Sequence, residues 1–193
     1  MQETISALIR ASIDTKQQLL KDETILNTIN DVADLMTAAF KDGKRAWFCG
    51  NGGSAADAQH LAAELSGRFY LNRVALPAEA LHCNTSYLTA VANDFGYDVA
   101  YARLVEGIMG KGDVLLGFST SGNSPNILAA FEMARSKGVH TVGLTGETGG
   151  KMRPLCDYLI NIPSKDTPRI QESHILVGHI VCQLVEAAYF PTK

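Results

Sequence analysis

Asp113-Val114-Leu115-Leu116-Gly117-Phe118, running on into Ser119-Thr120-Ser121-Gly122-Asn123-Ser124-Pro125-Asn126, is the stretch that decides the fold. Its first half is a continuous apolar run, the pattern of a strand buried on both faces of a parallel sheet. Beyond Ser124, apolar residues return at helical spacing at Ile127, Leu128, Phe131 and Ala134. Pro125 suits the first helical position and Ser124 the cap before it. The loop between strand and helix offers hydroxyls and backbone N–H groups at the positive end of a helix dipole, which favours an anion. It contains no lysine and follows neither the P-loop nor the dinucleotide-fingerprint spacing, so a small phosphate ester fits it better than ATP or NAD. A turn that merely caps its own helix is the other reading of the same residues, and the rest of the chain decides between them.

Outward from this unit, the strand-loop-helix pattern repeats. Ala46–Cys49 reads as a short strand, Gly50-Asn51-Gly52-Gly53-Ser54 as a second small-residue loop, and Ala55 to Leu65 as its helix. Val74 to Leu81 reads as a strand interrupted at Pro77, which favours an edge or irregular position. Thr85 to Val91 reads as helix, Asn93-Asp94 as a break, and Asp98 to Gly107 as helix again. Val139 to Leu144 and Tyr158 to Ile162 are further strands, with a short turn or helix opened by Gly149-Gly150, and Arg169 to Ala188 is a closing helix. Strands alternating with helices predict an α/β fold, a parallel sheet covered by helices on both faces, with ligands beyond the carboxyl ends of the strands.

Residues 1 to 41 carry two helical patterns and no strand. Ile25, Ile29, Val32, Ala33, Met36 and Phe40 give the second a broad apolar face, with Asp22 as its cap and Gly43 as its stop. The first presents only Ile5, Leu8, Ile9 and Ile13, a stripe too narrow to bury much alone, which is expected to pack on a neighbouring chain or across the domain. The expected organisation is N-terminal helices over 1–43 and a sheet domain over 44–193, together one structural unit.

The length of 193 residues suits one domain with a proper core. A net charge of −3 supplies no electrostatic footprint for nucleic acid, so an anionic ligand must be held by local donors. Cys49, Cys83, Cys156 and Cys182 form no paired spacing and are read as reduced core thiols. No run approaches the length of a membrane span and the start lacks the character of a secretory signal, so a cytoplasmic location is expected.

His60 and Glu64 stand four apart on the helix leaving the first small-residue loop and so share a face. They read as a metal pair, as a base with its orienting partner, or as a solvated helix face. On the last helix, Gln171 and His179 are eight residues apart, about 12 Å of rise, and would reach one ion only at the limit of their side chains. Read alone, His174 is a surface or cap residue and His179 a packed core histidine.

Taken together, Gly50-Asn51-Gly52-Gly53-Ser54, His60 with Glu64, Asn93-Asp94-Phe95, Ser119 to Ser124, Leu144-Thr145-Gly146 and Arg169-Ile170-Gln171-Glu172 resemble the phosphoheptose isomerase family of sugar-isomerase (SIS) domain proteins. The resemblance spans nearly the whole chain. It implies a three-layer sandwich with a five-stranded parallel sheet, a homotetramer with active sites at subunit interfaces, and one zinc ion per subunit. The implied reaction is aldose–ketose isomerisation of sedoheptulose 7-phosphate to D-glycero-D-manno-heptose 7-phosphate, towards lipopolysaccharide heptose. Carried over, the zinc ligands are His60, Glu64, Gln171 and His179, and the catalytic groups are Glu64 and His179. The substrate contacts are Asn51, Gly52, Gly53, Glu64, Asn93, Asp94, Ser119, Thr120, Ser121, Ser124 and Gln171. One departure is Lys165-Asp166-Thr167-Pro168, where family members can carry an acidic residue before Arg169. The non-catalytic DnaA initiator-associating protein is a similar tetramer whose ends look like Met1-Gln2-Glu3 and Tyr189-Phe190-Pro191. It lacks the acid and the histidine found here as Glu64 and His179, and its partner would be an initiator protein.

Overall fold

Alternation along the first strand, β1 (Ala46–Gly50), divides its side chains between two cores: Ala46 and Phe48 enter one, Trp47 and Cys49 the other. That period-two division is what burial on both faces requires. In the computed structural model, which describes residues 1–191, the remaining strands are β2 (Ala78–Ala80), β3 (Val114–Ser119), β4 (His140–Thr145) and β5 (Tyr158–Asn161). All pair in parallel in the order β2-β1-β3-β4-β5, with Gly50 opposite Phe118 and Ser119 opposite Thr145. The chain leaves β1 for β2 on one side and returns to β3 on the other. The sheet therefore has its topological switch point between β1 and β3, where crevices open in such folds.

Helices α2 (Glu23–Lys41), α3 (Gly53–Ser66) and α7 (Thr167–Tyr189) share a core with one face of the sheet. On the other face lie α5 (Ala100–Ile108), α6 (Pro125–Ser136) and the 3-10 segment Gly150–Leu155. Asp22 caps α2 by accepting from the Ile25 N–H at 3.1 Å. The three-layer sandwich and its five parallel strands match the expected class. Only three residues of the expected strand between Val74 and Leu81 join the sheet, at its edge, because the chain before Ala78 passes through Pro77.

The first helix, α1 (Gln2–Lys21), buries only Thr15 and Leu19. Polar contacts fix it to α7: Ser12 donates to the Glu172 carboxylate at 2.6 Å and Arg169 to the Leu8 carbonyl at 2.6 Å. The Ser12 hydrogen bond, with Arg169 and Lys16 nearby, holds the Glu172 carboxyl below the usual range. Ile5, Leu8, Ile9 and Ile13 stay about half exposed, at 51%, 54%, 56% and 48%. They find no cover across the domain. No helix among the described residues is long and apolar enough to cross a membrane.

Three local readings change. Asn93 and Asp94 lie in the last turn of α4 (Thr85–Phe95), not at a break, because the helix runs on until Gly96 adopts φ +89°. Cys49 and Cys182 are buried, but Cys156 is half-buried and Cys83 exposed, so only two of the four thiols are core residues. His174 is fully buried, with its Nε2–H on the Thr145 carbonyl at 3.2 Å and its ring edge-on to Phe118. It shares the α7 face of Ile170, Val177 and Val181, so the apolar stripe carries it inward.

Burial favours the uncharged imidazole and lowers the pKa of His174 from 6.5 to about 4. Below pH 6.5 the unfolded chain takes up a proton that the folded chain refuses, so stability falls progressively as pH drops towards 4. The shift corresponds to about 3 kcal/mol. Urea titrations at pH 7 and pH 4 are expected to show that loss in the native chain and a smaller one in His174→Gln.

Candidate active site

Two small-residue loops leave the adjacent strands β1 and β3 at the switch point. In the second, the Ser119 and Ser124 hydroxyls are 2.9 Å apart. Ser124 holds the cap position of α6, yet its hydroxyl turns into the loop, and α6 has no side-chain cap; α3, which begins after Gly52, has none either. Two helix starts thus face the same crevice without side-chain caps, the arrangement that suits an anion. Asn123 shapes the loop, donating through Nδ2 to the Ser121 carbonyl at 2.9 Å and accepting from the Lys151 N–H at 3.0 Å. Gly122 has φ +66°, and a Cβ there would lie 2.2 Å from the Gly149 oxygen, so the turn admits only glycine. Thr120 accepts from the Gly146 N–H at 3.0 Å.

The two loops are joined by paired amides. Asn51 donates to Asn126 Oδ1 and Asn126 donates to Asn51 Oδ1, both at 2.9 Å, and the Tyr97 hydroxyl donates to Asn51 Oδ1 at 2.9 Å. Asn93 and Asp94 are exposed on α4, with Asn93 Nδ2 on Asp94 Oδ1 at 2.8 Å.

Further along α3, at its crossing with α7, His60 Nε2 is 3.0 Å from Glu64 Oε1 and 3.3 Å from His179 Nε2. One donor atom from each of the three lies within 4.8 Å of the others. The crossing is tight because α7 presents Gly178, where a Cβ would lie 2.2 Å from Cδ1 of the buried Leu61. His179 is half-buried rather than a core residue, and Phe69 stacks on its ring at 5.7 Å. His60 and Glu64 line an open groove with Ala56, Gln59, Ala63 and Arg68. A solvated helix face would not bring a second imidazole nitrogen against the first. Two imidazoles and a carboxylate are a donor set that zinc accepts, with a coordination position left open, so these residues fit the implied metal. Gln171 stands apart from the three, its amide beside Gly53: a Cβ on that glycine would meet Gln171 Nε2 at 2.8 Å.

Sequence reasoning passed over the groups that support this cluster. Glu186, buried on α7, accepts from the N–H groups of Phe69, Tyr70 and Leu71 at 3.3, 2.8 and 3.0 Å and from Arg73 Nε at 2.9 Å. Burial raises its pKa, and these four bonds outweigh that effect, leaving the carboxyl below its usual range. Arg73 in turn donates to the carbonyls of Glu64 and Leu65 at 2.8 and 2.7 Å, closing the last turn of α3. Asp57 has an unpartnered, buried Oδ2, and desolvation, partly offset by His60, pushes its carboxyl up to about 6. The spacing held signals for two of these: Glu186 is seven residues after His179 and Asp57 three before His60, on shared helix faces. Asn126 and Tyr97 carried none.

Comparison with known proteins agrees with this architecture. The SIS domain family matches residues 10–146. A phosphoheptose isomerase of Aneurinibacillus thermoaerophilus is 51% identical over 193 residues, covering 100% of this chain and 98% of the relative. One from Burkholderia pseudomallei (strain 1710b) is 54% identical over 172 residues, 89% of this chain and 87% of that one. The solved phosphoheptose isomerase of Neisseria gonorrhoeae superposes with a TM-score of 0.91 at 40% identity, covering 96% of this chain and 98% of the other. A SIS-type sheet, a hydroxyl-lined loop at its switch point and full-length identity near one half lead to one conclusion: the chain belongs to the phosphoheptose isomerase family.

Proposed function

We propose that the protein interconverts sedoheptulose 7-phosphate and D-glycero-D-manno-heptose 7-phosphate, in the cytoplasm, as a step towards lipopolysaccharide heptose. The observation that carries this reading is the convergence of His60, Glu64 and His179 at the crossing of α3 and α7. Ketose-to-aldose conversion moves a proton from C1 to C2 through an enediol and carries a second proton between the two oxygens. Glu64 takes the C1 proton and returns it to C2, while His179 gives a proton to O2 and recovers one from O1. His60, Glu64 and His179 would hold zinc, which would supply a Lewis acid; Glu64 and His179 would then move protons through the donor atom that each leaves off the metal, the second carboxylate oxygen and Nδ1. Ser119, Thr120, Ser121 and Ser124 anchor the phosphate; Asn51, Gly52, Gly53, Asn93, Asp94 and Gln171 hold the sugar and fix its approach.

The two halves of this machinery lie far apart on one chain. Glu64 follows Gly53 by eleven residues, about 16 Å of helix rise away from the loops. Seven carbons joined by bonds of about 1.5 Å span less than about 9 Å, so the substrate with its phosphate ester would reach Glu64 of the same chain only with both fully extended. A homotetramer with sites at its interfaces brings one chain's loops to another's groove, and the exposed stripe of α1 supplies apolar surface for such assembly. An initiator-binding protein would need neither Glu64 nor His179, so that alternative is not favoured.

The test is incubation with sedoheptulose 7-phosphate, with detection of the aldose. The zinc-loaded protein is expected to form it, a chelator to stop it, and added zinc to restore it. No aldose under any of these conditions overturns the proposal.

A further inference from the structure

Asn126 is 1% exposed, yet its amide is not spent on the core. Its Oδ1 accepts both from Asn51 and from the Ile127 N–H at 3.0 Å, and its Nδ2 donates to Asn51 Oδ1. The pairing is reciprocal, so each amide can lie in only one orientation against the other. Asn51 belongs to the loop after β1 and Asn126 to the first turn of α6 after β3. Strands β1 and β3 are held by sheet hydrogen bonds only as far as Gly50 and Phe118, so beyond that point the amide pair sets how the two loops lie against each other. Tyr97, from the 3-10 turn after α4, adds the latch on Asn51.

We infer that Asn126 is a positioning residue: acting through Asn51, it fixes the sugar-holding loop relative to the phosphate-holding loop, so that occupancy of the Ser119–Ser124 cradle orders Asn51 to Ser54. This deepens the isomerase reading and rests on it for the identity of the ligand. A substrate gripped by one loop and aligned by the other loses its alignment if the loops can shift independently. An error on the scale of 1 Å in such alignment costs about 100-fold in rate.

Asn126→Asp keeps the shape and the Oδ1 that accepts from Asn51 and from the Ile127 N–H but removes the donor, and it sets a carboxylate oxygen against Asn51 Oδ1. Amide hydrogen exchange with inorganic phosphate as the probe reads the coupling without any turnover. In the native chain, phosphate is expected to slow exchange in both loops; in Asn126→Asp it slows only Ser119 to Asn126. In parallel, kcat on sedoheptulose 7-phosphate is expected to fall about 100-fold with KM nearly unchanged, with circular dichroism showing a native folded fraction so that lost enzyme does not account for it. Should Asn126→Asp fail to fold, Tyr97→Phe removes one exposed latch hydroxyl and is expected to show the same pattern with a kcat loss of about 5-fold. Equal protection of both loops in the variants, or of neither loop in the native chain, overturns the inference. An inactive native protein that still shows coupled protection would instead remove the isomerase reading and leave the coupling in place.

Discussion

Glu64→Gln is expected to lower kcat by about a thousand-fold, the scale of a positioned general base. The substitution keeps the side chain's length and one oxygen for the cluster but cannot accept a proton from carbon. Glu64 is paired only with His60, on a groove where its side chain is 24% exposed, so fold and phosphate binding should persist. Deuterium incorporation separates its two proposed tasks. In heavy water the native enzyme should label the substrate carbon, and the variant should not, even when both are supplied with zinc. A variant that retains a tenth or more of native turnover would remove Glu64 from the proton transfer.

The second large effect is on stability. Glu186→Gln should cost about 3 to 5 kcal/mol in urea unfolding, because it leaves the Arg73 guanidinium buried without its counter-charge. Both side chains are nearly inaccessible, at 4% and 3%, so water cannot substitute for the lost partner. The double variant Arg73→Met/Glu186→Leu should recover part of that loss, since no charge remains buried. It should not recover all of it, because leucine removes the oxygen that glutamine still offers to the N–H groups of Phe69, Tyr70 and Leu71. Native stability in Glu186→Gln would show that the carboxylate is not the tie holding this loop.

Much of the fold was legible because parallel strands buried on both faces have no polar alternation to confuse with anything else. Val114 to Phe118 and Ala46 to Cys49 read directly, and each was followed by a loop that stops it. His60 and Glu64 were legible as neighbours because helix spacing is local. Their meeting with His179 was not, since it depends on how closely α3 and α7 cross. His174 and His179, five residues apart on one helix, exchanged their expected environments: the sequence places the first on the apolar stripe, but the identity of the residue suggested a surface. Glu186 and Arg73 escaped notice because a charged residue in an amphipathic helix ordinarily faces water, and their pairing spans 113 positions. The Asn51–Asn126 pair was hidden for the same reason, as a contact made only after the sheet has formed.

Gly178 offers no donor atom to the trio, yet it governs what inheritance of this activity requires. A relative could keep every donor of the His60, Glu64 and His179 trio and still be inert if a methyl group at that position pushed its two helices apart. Recognition of active members from sequence should therefore weigh the smallest residue of α7 as heavily as the histidine that follows it.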